Sequence, residues 1–327
     1  MQKSEMYDLI IVGGGPAGLS AGIYALRAAL KTVLVEKGMP GGQIALTDTV
    51  ENYPGFEHIT GIELCQKFLN HAKSYGLEVV SRESVAVEPG LEHHSVRLSD
   101  GESLRSHAVI LAAGGDPRKL NIPGEDDCRG KGVSYCATCD GFFYRGKTVV
   151  VVGGGDTAAE EALYLARITE KVYLIHRRGE LRASRILQQR VKSEGKIEVI
   201  WNTVPTAIKA DNHGVNAVDL KNVLTGEKRE LPTYGVFIFV GFEPNNQLVP
   251  AGVRRTADGY VVTDEKCETN IPGLFVVGDL REKYAKQIVL AAADGCTAAL
   301  AAAHYVESKK AAEAACELPQ NPHTSVA

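Results

Sequence analysis

The sequence predicts an α/β protein with two Rossmann-like dinucleotide-binding domains. Apolar, strand-like runs alternate with amphipathic helical stretches along most of the chain. A strand, a glycine-rich turn and a helix start occur at residues 9–18, and the same pattern recurs at residues 149–158. A repeated unit of this kind indicates two nucleotide sites on two domains.

Alternation of strands and helices favours parallel sheets built from βαβ units. Strands are predicted at residues 8–12, 32–36, 108–113, 148–152, 172–176, 236–240 and 274–277. Helices are predicted at residues 16–30, 61–75, 157–167 and 287–305.

Proline and polar residues interrupt the apolar pattern at 116–118 and 243–245, which are therefore the expected domain boundaries. The first domain then comprises residues 1–117 and 245–327, and the second, residues 118–244, is inserted into it. The expected architecture is three-layered, of the ββα/βα type. The tail from Glu307 is interpreted as a fraying terminus.

The composition is that of an ordinary globular protein, with 44% hydrophobic and 23% charged residues in 327. A net charge of −4 gives no overall attraction to nucleic acid or to an anionic membrane. The apolar run at residues 9–12 is too short for a signal peptide or a membrane span, so we expect a cytoplasmic protein. Cysteines 65, 128, 267, 296 and 316 are scattered and are interpreted as small buried hydrophobes.

The first glycine-rich turn fits G-x-G-x-x-G through Gly13, Gly15 and Gly18. These glycines permit a tight turn, a close approach of a pyrophosphate and close helix packing, and the helix N-terminus supplies N–H donors. Glu36 ends the next strand, where a carboxylate accepts hydrogen bonds from ribose hydroxyls and repels a 2′-phosphate.

The second turn, Gly153-x-Gly155-x-x-Ala158, is followed by a strand that ends in basic residues instead of an acid. Guanidinium groups bind phosphate through charge-assisted hydrogen bonds, which suits the 2′-phosphate of NADPH. The alternative is an ordinary solvated basic loop. The basic residues are His176, Arg177, Arg178 and Arg182.

FAD has no 2′-phosphate, so a flavin would occupy the first site and NADPH the second. A further flavin signal is the strand that ends in Gly278-Asp279 ahead of a helical stretch containing Lys286 and Gln287. This arrangement places a carboxylate beside ribityl hydroxyls and a helix N-terminus near the flavin.

Cys136 and Cys139 form a C-x-x-C pair, which in the cytosol is more often redox-active than structural. The alternative, half of a zinc site, needs another close pair of ligands; the sequence has no second C-x-x-C, and its adjacent histidines, His93 and His94, lie far upstream. We therefore expect no metal. Asp140 is either an acid/base that delivers protons to a leaving thiolate or a turn aspartate before Gly141.

Together these features resemble the low-molecular-weight, bacterial-type thioredoxin reductases over residues 9 to about 305. The run from Cys136 to Tyr144, both glycine turns, the basic cluster and the terminal Gly-Asp occur in that family's order. Residues 41–43 and 51–55 also match the family pattern.

The resemblance implies an NADPH-dependent flavoenzyme that reduces the disulfide of thioredoxin and acts as a homodimer. It also implies that Cys139 faces the flavin, Cys136 exchanges with thioredoxin and Asp140 handles protons. Ala113, Lys131 and Lys286 stand where the family often has Thr, Arg and Arg. The expected FAD contacts are Gly13, Gly15, Pro16, Ala17, Gly18, Glu36, Lys37, Gly42, Gln43, Asn52, Ala113, Gly114, Gly278, Asp279, Lys286, Gln287 and Ile288. The expected NADPH contacts are Gly153, Gly155, Asp156, Thr157, Ala158, His176, Arg177, Arg178 and Arg182.

Several related functions remain as alternatives. A hydroperoxide reductase flavoprotein would carry an extra N-terminal domain, whereas eight residues precede the first apolar run, residues 9–12, here. A ferredoxin or flavodoxin reductase would lack the C-x-x-C, and a small-molecule dithiol oxidase would lack the arginines. A flavin disulfide reductase for another thioredoxin-like protein stays open, as does a non-enzymatic redox or zinc module, which would not need two nucleotide sites.

Overall fold

The computed structural model describes residues 6–46, 50 and 52–317, and the chain folds into two compact units. The first unit comprises Met1–Ile44, Leu64–Gly115 and Pro244–Ala327, and the second comprises Ala45–Glu63 and Asp116–Glu243. The segment Ala45–Glu63 was expected in the first domain. Glu51 and the terminal residues from Leu318 onward lie outside the described residues.

All predicted strands and helices are present, with ends displaced by a few residues, except that the last helix ends at Glu317 instead of residue 305. The strands are β1 Met6–Val12, β2 Thr32–Glu36, β3 Glu78–Ser81, β4 Ser84–Glu88, β5 His94–Leu98, β6 Ser103–Leu111, β7 Gly115–Pro117, β8 Val133–Ser134, β9 Thr148–Gly153, β10 Lys171–Ile175, β11 Ile197–Ile200, β12 Thr203–Asp211, β13 Gly214–Asn222, β14 Lys228–Pro232, β15 Gly235–Phe239, β16 Phe242–Pro244 and β17 Leu274–Val276. The helices are α1 Pro16–Arg27, α2 Gly61–Ser74, α3 Ala137–Asp140, α4 Asp156–Ile168, α5 Arg185–Ser193 and α6 Ile288–Glu317.

The first unit is built on a seven-stranded sheet with the order β3-β2-β1-β6-β5-β4, in which β17 also pairs with β6. Strands β1, β2, β3, β6 and β17 are parallel, whereas β4 and β5 pair antiparallel. Along β1, Leu9 and Ile11 join one apolar cluster and Ile10 and Val12 join another. Because alternate side chains point to opposite faces, both faces of this sheet are buried, as expected for parallel strands.

The second unit repeats this plan with a five-stranded parallel sheet, β11-β10-β9-β15-β8. Along β9, Val149 and Val151 pack with helix α4, while Val150 and Val152 pack with the antiparallel sheet β12-β13-β14. The helix, the parallel sheet and the antiparallel sheet are the three layers. The expected α/β class with two Rossmann-like units is confirmed.

The interpretation of the tail as a fraying terminus is wrong for residues 307–317, which extend α6. Ala, Lys and Glu are strong helix formers, so this segment needs little apolar periodicity to continue the helix. It is also anchored, because Lys310 Nζ lies 2.6 Å from Asp8 Oδ1 and Lys309 Nζ donates to Leu91 O at 2.7 Å.

Residues Ile288–Ala314 of α6 are long and apolar enough to cross a membrane by length and composition alone. Core helices of soluble proteins pass the same test. In this chain α6 packs against α1 and contributes Ala298, Ala302 and Val306 to the first unit's core.

Candidate active site

The first glycine-rich turn has the geometry that a pyrophosphate site needs. Gly13 has φ +108°, and a Cβ there would lie 2.4 Å from the carbonyl oxygen of Ala112. A Cβ on Gly18 would lie 1.9 Å from the carbonyl oxygen of Gly13, so only glycine allows α1 to pack against the turn. Gly15, the N-cap of α1, has open space where its Cβ would be. Pro16 occupies the first helical turn, so the N-terminus of α1 faces that space without a capping side chain.

Glu36, at the end of β2, holds the turn in shape. Its Oε2 accepts a hydrogen bond from Gly14 N at 2.7 Å and its Oε1 accepts one from Gly38 N at 2.9 Å. Lys37 beside it is exposed. The carboxylate is thus fixed at the carboxyl end of the sheet, where the ribose was predicted.

The second predicted flavin segment follows β17 and leads towards α6. Burial raises the pKa of the Asp279 carboxyl, although Lys283 Nζ lies 3.5 Å from Oδ1. Despite this ion pair, Oδ1 makes no hydrogen bond within the described part of the chain. A buried oxygen that forms this ion pair but no ordinary hydrogen bond with the described residues can accept one from a ligand hydroxyl, as the ribityl chain of FAD would provide.

An ionic cluster that the sequence analysis did not identify fixes this segment. Asp294, on α6, accepts hydrogen bonds from Gly278 N at 3.0 Å and from Arg281 Nη1 at 2.8 Å, and Lys283 Nζ lies 3.3 Å from it. The neighbouring Gly295 allows α6 to touch α1, because its Cβ would lie 2.0 Å from the Ala17 carbonyl oxygen. Helix α6 therefore ties together the two segments predicted to bind FAD.

The other predicted flavin residues are divided between the two units. Ala113 and Gly114 lie between β6 and β7, and their carbonyl oxygens accept hydrogen bonds from Asn245. Lys286 Nζ lies 4.5 Å from the centre of the Tyr260 ring, and burial lowers the pKa of Lys286. Gly42 and Gln43 start a short 3-10 helix, Gln287 and Ile288 start α6, and Asn52 is an exposed residue of the second unit.

The second glycine-rich turn in the second unit has the same construction. A Cβ on Gly153 would lie 2.5 Å from the Ala158 Cβ, so the glycine provides the room that alanine at the third fingerprint position requires. Gly155, the N-cap of α4, has open space where its Cβ would be. Asp156 and Thr157 form the first turn of this helix.

The predicted arginine loop folds back onto this turn. Arg182 N donates to Gly154 O at 2.6 Å, and Ser184 N donates to Asp156 Oδ1 at 2.6 Å. These hydrogen bonds hold the loop beside the second glycine-rich turn. The side chains of Arg177, Arg178 and Arg182 are exposed. These cations and the open N-terminus of α4 fit a phosphorylated dinucleotide.

His176 differs from the arginines because it is buried. Its Nδ1 lies 2.8 Å from Gly153 O, and a Cβ on Gly154 would lie 2.2 Å from its ring. Burial lowers the pKa of His176. The ring therefore packs against the glycine-rich turn, and burial favours its neutral form.

The predicted redox pair is closed as a disulfide between Cys136 and Cys139, with 5.3 Å between the Cα atoms. Cys136 is the N-cap of the short helix α3, which packs on α4. Asp140 Oδ2 accepts a hydrogen bond from Ser134 Oγ at 2.6 Å, and the same hydroxyl accepts one from Cys136 N at 3.1 Å. The Ser134 hydroxyl therefore bridges the Asp140 carboxylate and the backbone N–H of Cys136.

The remaining thiols have a different environment. Cys65, Cys128 and Cys267 are buried and unoxidised, and burial raises the pKa of each of these thiols. Cys296 is partly exposed, so its interpretation as a buried hydrophobe is wrong. The side chain of Cys316 lies outside the described part of the chain. Within residues 6–46, 50 and 52–317, no three His, Cys, Asp or Glu side chains form a metal-binding group.

Two dinucleotide folds and a C-x-x-C disulfide define a flavin-dependent disulfide oxidoreductase. In agreement, the family model described as "Pyridine nucleotide-disulphide oxidoreductase" matches residues 7–295, and the chain belongs to that family.

The similar proteins define the branch of the family. The chain is 45% identical over 307 residues to a thioredoxin reductase of Bacillus subtilis, covering 94% of this chain and 97% of the relative. It is 46% identical to one of Helicobacter pylori, covering 92% and 99%. The crystal structure of thioredoxin reductase from Streptococcus pyogenes matches with a TM-score of 0.91 and 40% identity, covering 94% and 100%. That of Lactococcus lactis in its FR conformation matches with a TM-score of 0.63 and 43% identity, covering 92% and 99%.

The chain therefore belongs to the thioredoxin reductases, whose cofactors are FAD and NADPH.

Proposed function

We propose that this enzyme transfers electrons from NADPH, by way of FAD, to the Cys136–Cys139 disulfide and from there to the disulfide of thioredoxin. We also propose that it works as a cytoplasmic homodimer with no nucleic-acid or membrane partner. The names of its relatives support the reaction, and the net charge of −4 supports the expectation of no nucleic-acid or anionic-membrane partner. The homodimer follows from the family resemblance alone.

One observation carries the proposal: the disulfide is packed on the helix that begins at the second glycine-rich turn. Ala137, inside the C-x-x-C, shares one apolar cluster with Ala158, Ala162 and Leu165 of α4. The redox pair and the predicted NADPH site are therefore parts of a single compact unit. A structural disulfide would have no need of this association.

The binding roles follow from the charges and donors of each turn. The N-terminus of α1 and Glu36 would hold the pyrophosphate and ribose of FAD, and Asp279 would accept from the ribityl chain. The N-terminus of α4 would hold the pyrophosphate of NADPH, and the arginine loop would hold its 2′-phosphate. When bound, FAD accepts a hydride and supplies two electrons to a disulfide.

The cysteines would carry out the thiol chemistry. The Cys136–Cys139 bond takes up two electrons and two protons and becomes a dithiol. The Cys136 thiolate then forms a bond to one sulfur of the partner's disulfide while that disulfide breaks. Cys139 displaces the partner and re-forms the original bond, so the partner leaves as a dithiol. Asp140 would hold the proton that these thiolates exchange.

We further propose that the inserted domain rotates, because nicotinamide and disulfide must each reach the flavin and the disulfide must also reach a protein. The two connections between the units form the paired strands β7 and β16. Arg118 N donates to Gly241 O on one side and Asn245 N donates to Gly114 O on the other.

The direct test is reduction of oxidised thioredoxin by the purified protein with NADPH and, in parallel, with NADH. We expect rapid reduction with NADPH and slow reduction with NADH. No reduction with either coenzyme would contradict the proposed function.

A further inference from the structure

A buried hydroxyl lies between the redox disulfide and the aspartate that follows it. Ser134, on β8, is 4% exposed, and its Oγ lies 2.6 Å from Asp140 Oδ2. The same Oγ accepts a hydrogen bond from Cys136 N at 3.1 Å and lies 3.2 Å from Cys136 O. One hydroxyl therefore has a carboxylate, an N–H group and a carbonyl oxygen within hydrogen-bond distance.

The strand segment that carries Ser134 is itself held firmly. Ser134 pairs with Phe237 of β15, and the next residue, Tyr135, donates a hydrogen bond to Glu125 Oε1 at 2.7 Å. Glu125 is 2% exposed, and its Oε1 also accepts from Leu120 N at 2.9 Å. The hydroxyl thus lies on a fixed element, as a group that positions another side chain requires.

Thr233 shows what a hydroxyl of this kind does when its role is local. Thr233 Oγ1 accepts from Gly235 N at 3.4 Å and lies 3.0 Å from Gly235 O, which are the two contacts that Ser134 makes with Cys136. Such bonds shape the backbone two residues ahead. The further neighbour of Thr233 Oγ1 is a carbonyl oxygen, that of Thr148 at 3.1 Å, whereas Ser134 has a carboxylate there. Shaping the backbone does not require that carboxylate.

The hydrogen-bonding capacity of the Ser134 hydroxyl matches both states of Asp140, because a hydroxyl has one proton and two lone pairs. When Asp140 is ionised, the hydroxyl donates its proton to Oδ2 and accepts from Cys136 N. When Asp140 is protonated, the hydroxyl accepts the carboxyl O–H and turns its own proton to Cys136 O. Since the carboxyl oxygen and the hydroxyl keep a partner in both states, Asp140 need not move when it gains or loses a proton.

We propose that Ser134 is a positioning residue that holds Asp140 in one place in both its ionised and its protonated state. Asp140 gives its proton to the thiolate that leaves the partner's disulfide, and the Ser134 proton turns from Cys136 O to Asp140 Oδ2 while staying on its own oxygen. Asp140 then regains a proton from a thiol of the enzyme's dithiol, and the hydroxyl turns back. This inference rests on the proposed function, which assigns proton transfer to Asp140.

The test compares two small disulfides in a single turnover of the FAD-loaded enzyme, whose own disulfide is first reduced with a phosphine that is then removed. Hydroxyethyl disulfide releases an aliphatic thiolate that leaves more readily when it is protonated, whereas dithiobis(nitrobenzoate) releases an aromatic thiolate that leaves without a proton. We expect Ser134→Ala to slow the aliphatic reaction about tenfold and the aromatic reaction less than about twofold. A loosened redox turn would slow both reactions equally.

A double-mutant cycle shows whether Ser134 acts through the carboxylate. In the Asp140→Asn background, Ser134→Ala should change the aliphatic rate by less than about twofold. The matched control is Thr233→Val, which removes a buried hydroxyl with the same pair of backbone contacts and should react like the wild type with both disulfides. An unchanged aliphatic rate in Ser134→Ala, equal slowing with both disulfides, or a full effect that persists in the Asp140→Asn background would each overturn the inference.

A crystal structure of the Asp140→Asn enzyme tests the second hydroxyl position with Ser134 intact. The asparagine amide is a donor like the protonated acid, so it should lie about 2.7 to 3.2 Å from Ser134 Oγ, with Oγ still beside Cys136 O. An amide turned away from Ser134 would overturn the inference. Chemical reduction and small disulfides separate these tests from the proposed function. If the wild type failed to reduce thioredoxin with NADPH, that function would be wrong while both disulfide rates could still be measured.

Discussion

Replacing Asp294 by asparagine tests whether α6 holds the flavin segment in place. The substitution keeps an oxygen for Gly278 N but removes the charge between Arg281 and Lys283. The side chains of Asp294, Arg281 and Lys283 are 13%, 17% and 9% exposed, so all three charges are largely withdrawn from water.

The expected cost follows from these contacts. A hydrogen bond to a charged group contributes about 1.5 to 3 kcal/mol. Removing one partner of a buried ion pair costs about 3 to 5 kcal/mol, because the remaining charges are left uncompensated. Since water reaches part of this cluster, we expect a loss of about 3 kcal/mol in the free energy of unfolding of the first unit. We also expect at least about tenfold weaker FAD binding, equivalent to about 1.4 kcal/mol.

Urea unfolding followed by flavin fluorescence reports the first unit and the release of FAD. The single tryptophan, Trp201, lies in the second unit, so its fluorescence is an internal control. Glu265→Gln is the matched control, because it removes an exposed carboxylate of the first unit and should change stability by less than about 0.5 kcal/mol. If Asp294→Asn unfolded at the wild-type urea concentration and bound FAD normally, the anchoring role would be refuted.

Three further outcomes are expected. Arg177→Ala combined with Arg178→Ala should raise the KM for NADPH at least about tenfold, because each charged hydrogen bond to phosphate contributes about 1.5 to 3 kcal/mol. The KM for NADH should stay almost unchanged, and an equal loss with both coenzymes would contradict the assignment of the 2′-phosphate site. Cys136→Ser should show a long-wavelength absorption band from a Cys139 thiolate beside oxidised FAD, and Cys139→Ser should not; the opposite pattern would reverse the two roles. Burial lowers the pKa of His94 to about 4, so between about pH 4 and 6.5 the unfolded state binds more protons than the folded state. The free energy of unfolding should therefore increase by about 3 kcal/mol as the pH rises through this range. Urea unfolding of His94→Gln should lack this rise, and a pH profile identical to that of the wild type would refute the role of His94.

The glycine-rich turns could be predicted because their constraints are local. Gly18 is required by the carbonyl oxygen of Gly13 in the same strand-turn-helix unit, and Gly13 has a positive φ that glycine favours, so both requirements are visible in the order of residues. The arginine loop could also be predicted from the sequence, because it follows β10 directly. What the sequence could not reveal is that Asp156 and Gly154 pin this loop through backbone hydrogen bonds.

Asp294 could not be identified from the sequence, because it acts on a segment distant along the chain. It reaches Gly278 only because α6 packs against α1. In the sequence of a helix it looks like an ordinary surface carboxylate.

The most direct test of the central claim is differential labelling of cysteines with and without NADPH under anaerobic conditions. The account predicts that NADPH makes Cys136 and Cys139 reactive while labelling of the buried Cys65, Cys128 and Cys267 is unchanged. If the FAD-loaded protein kept the Cys136–Cys139 disulfide in excess NADPH, the account would be contradicted.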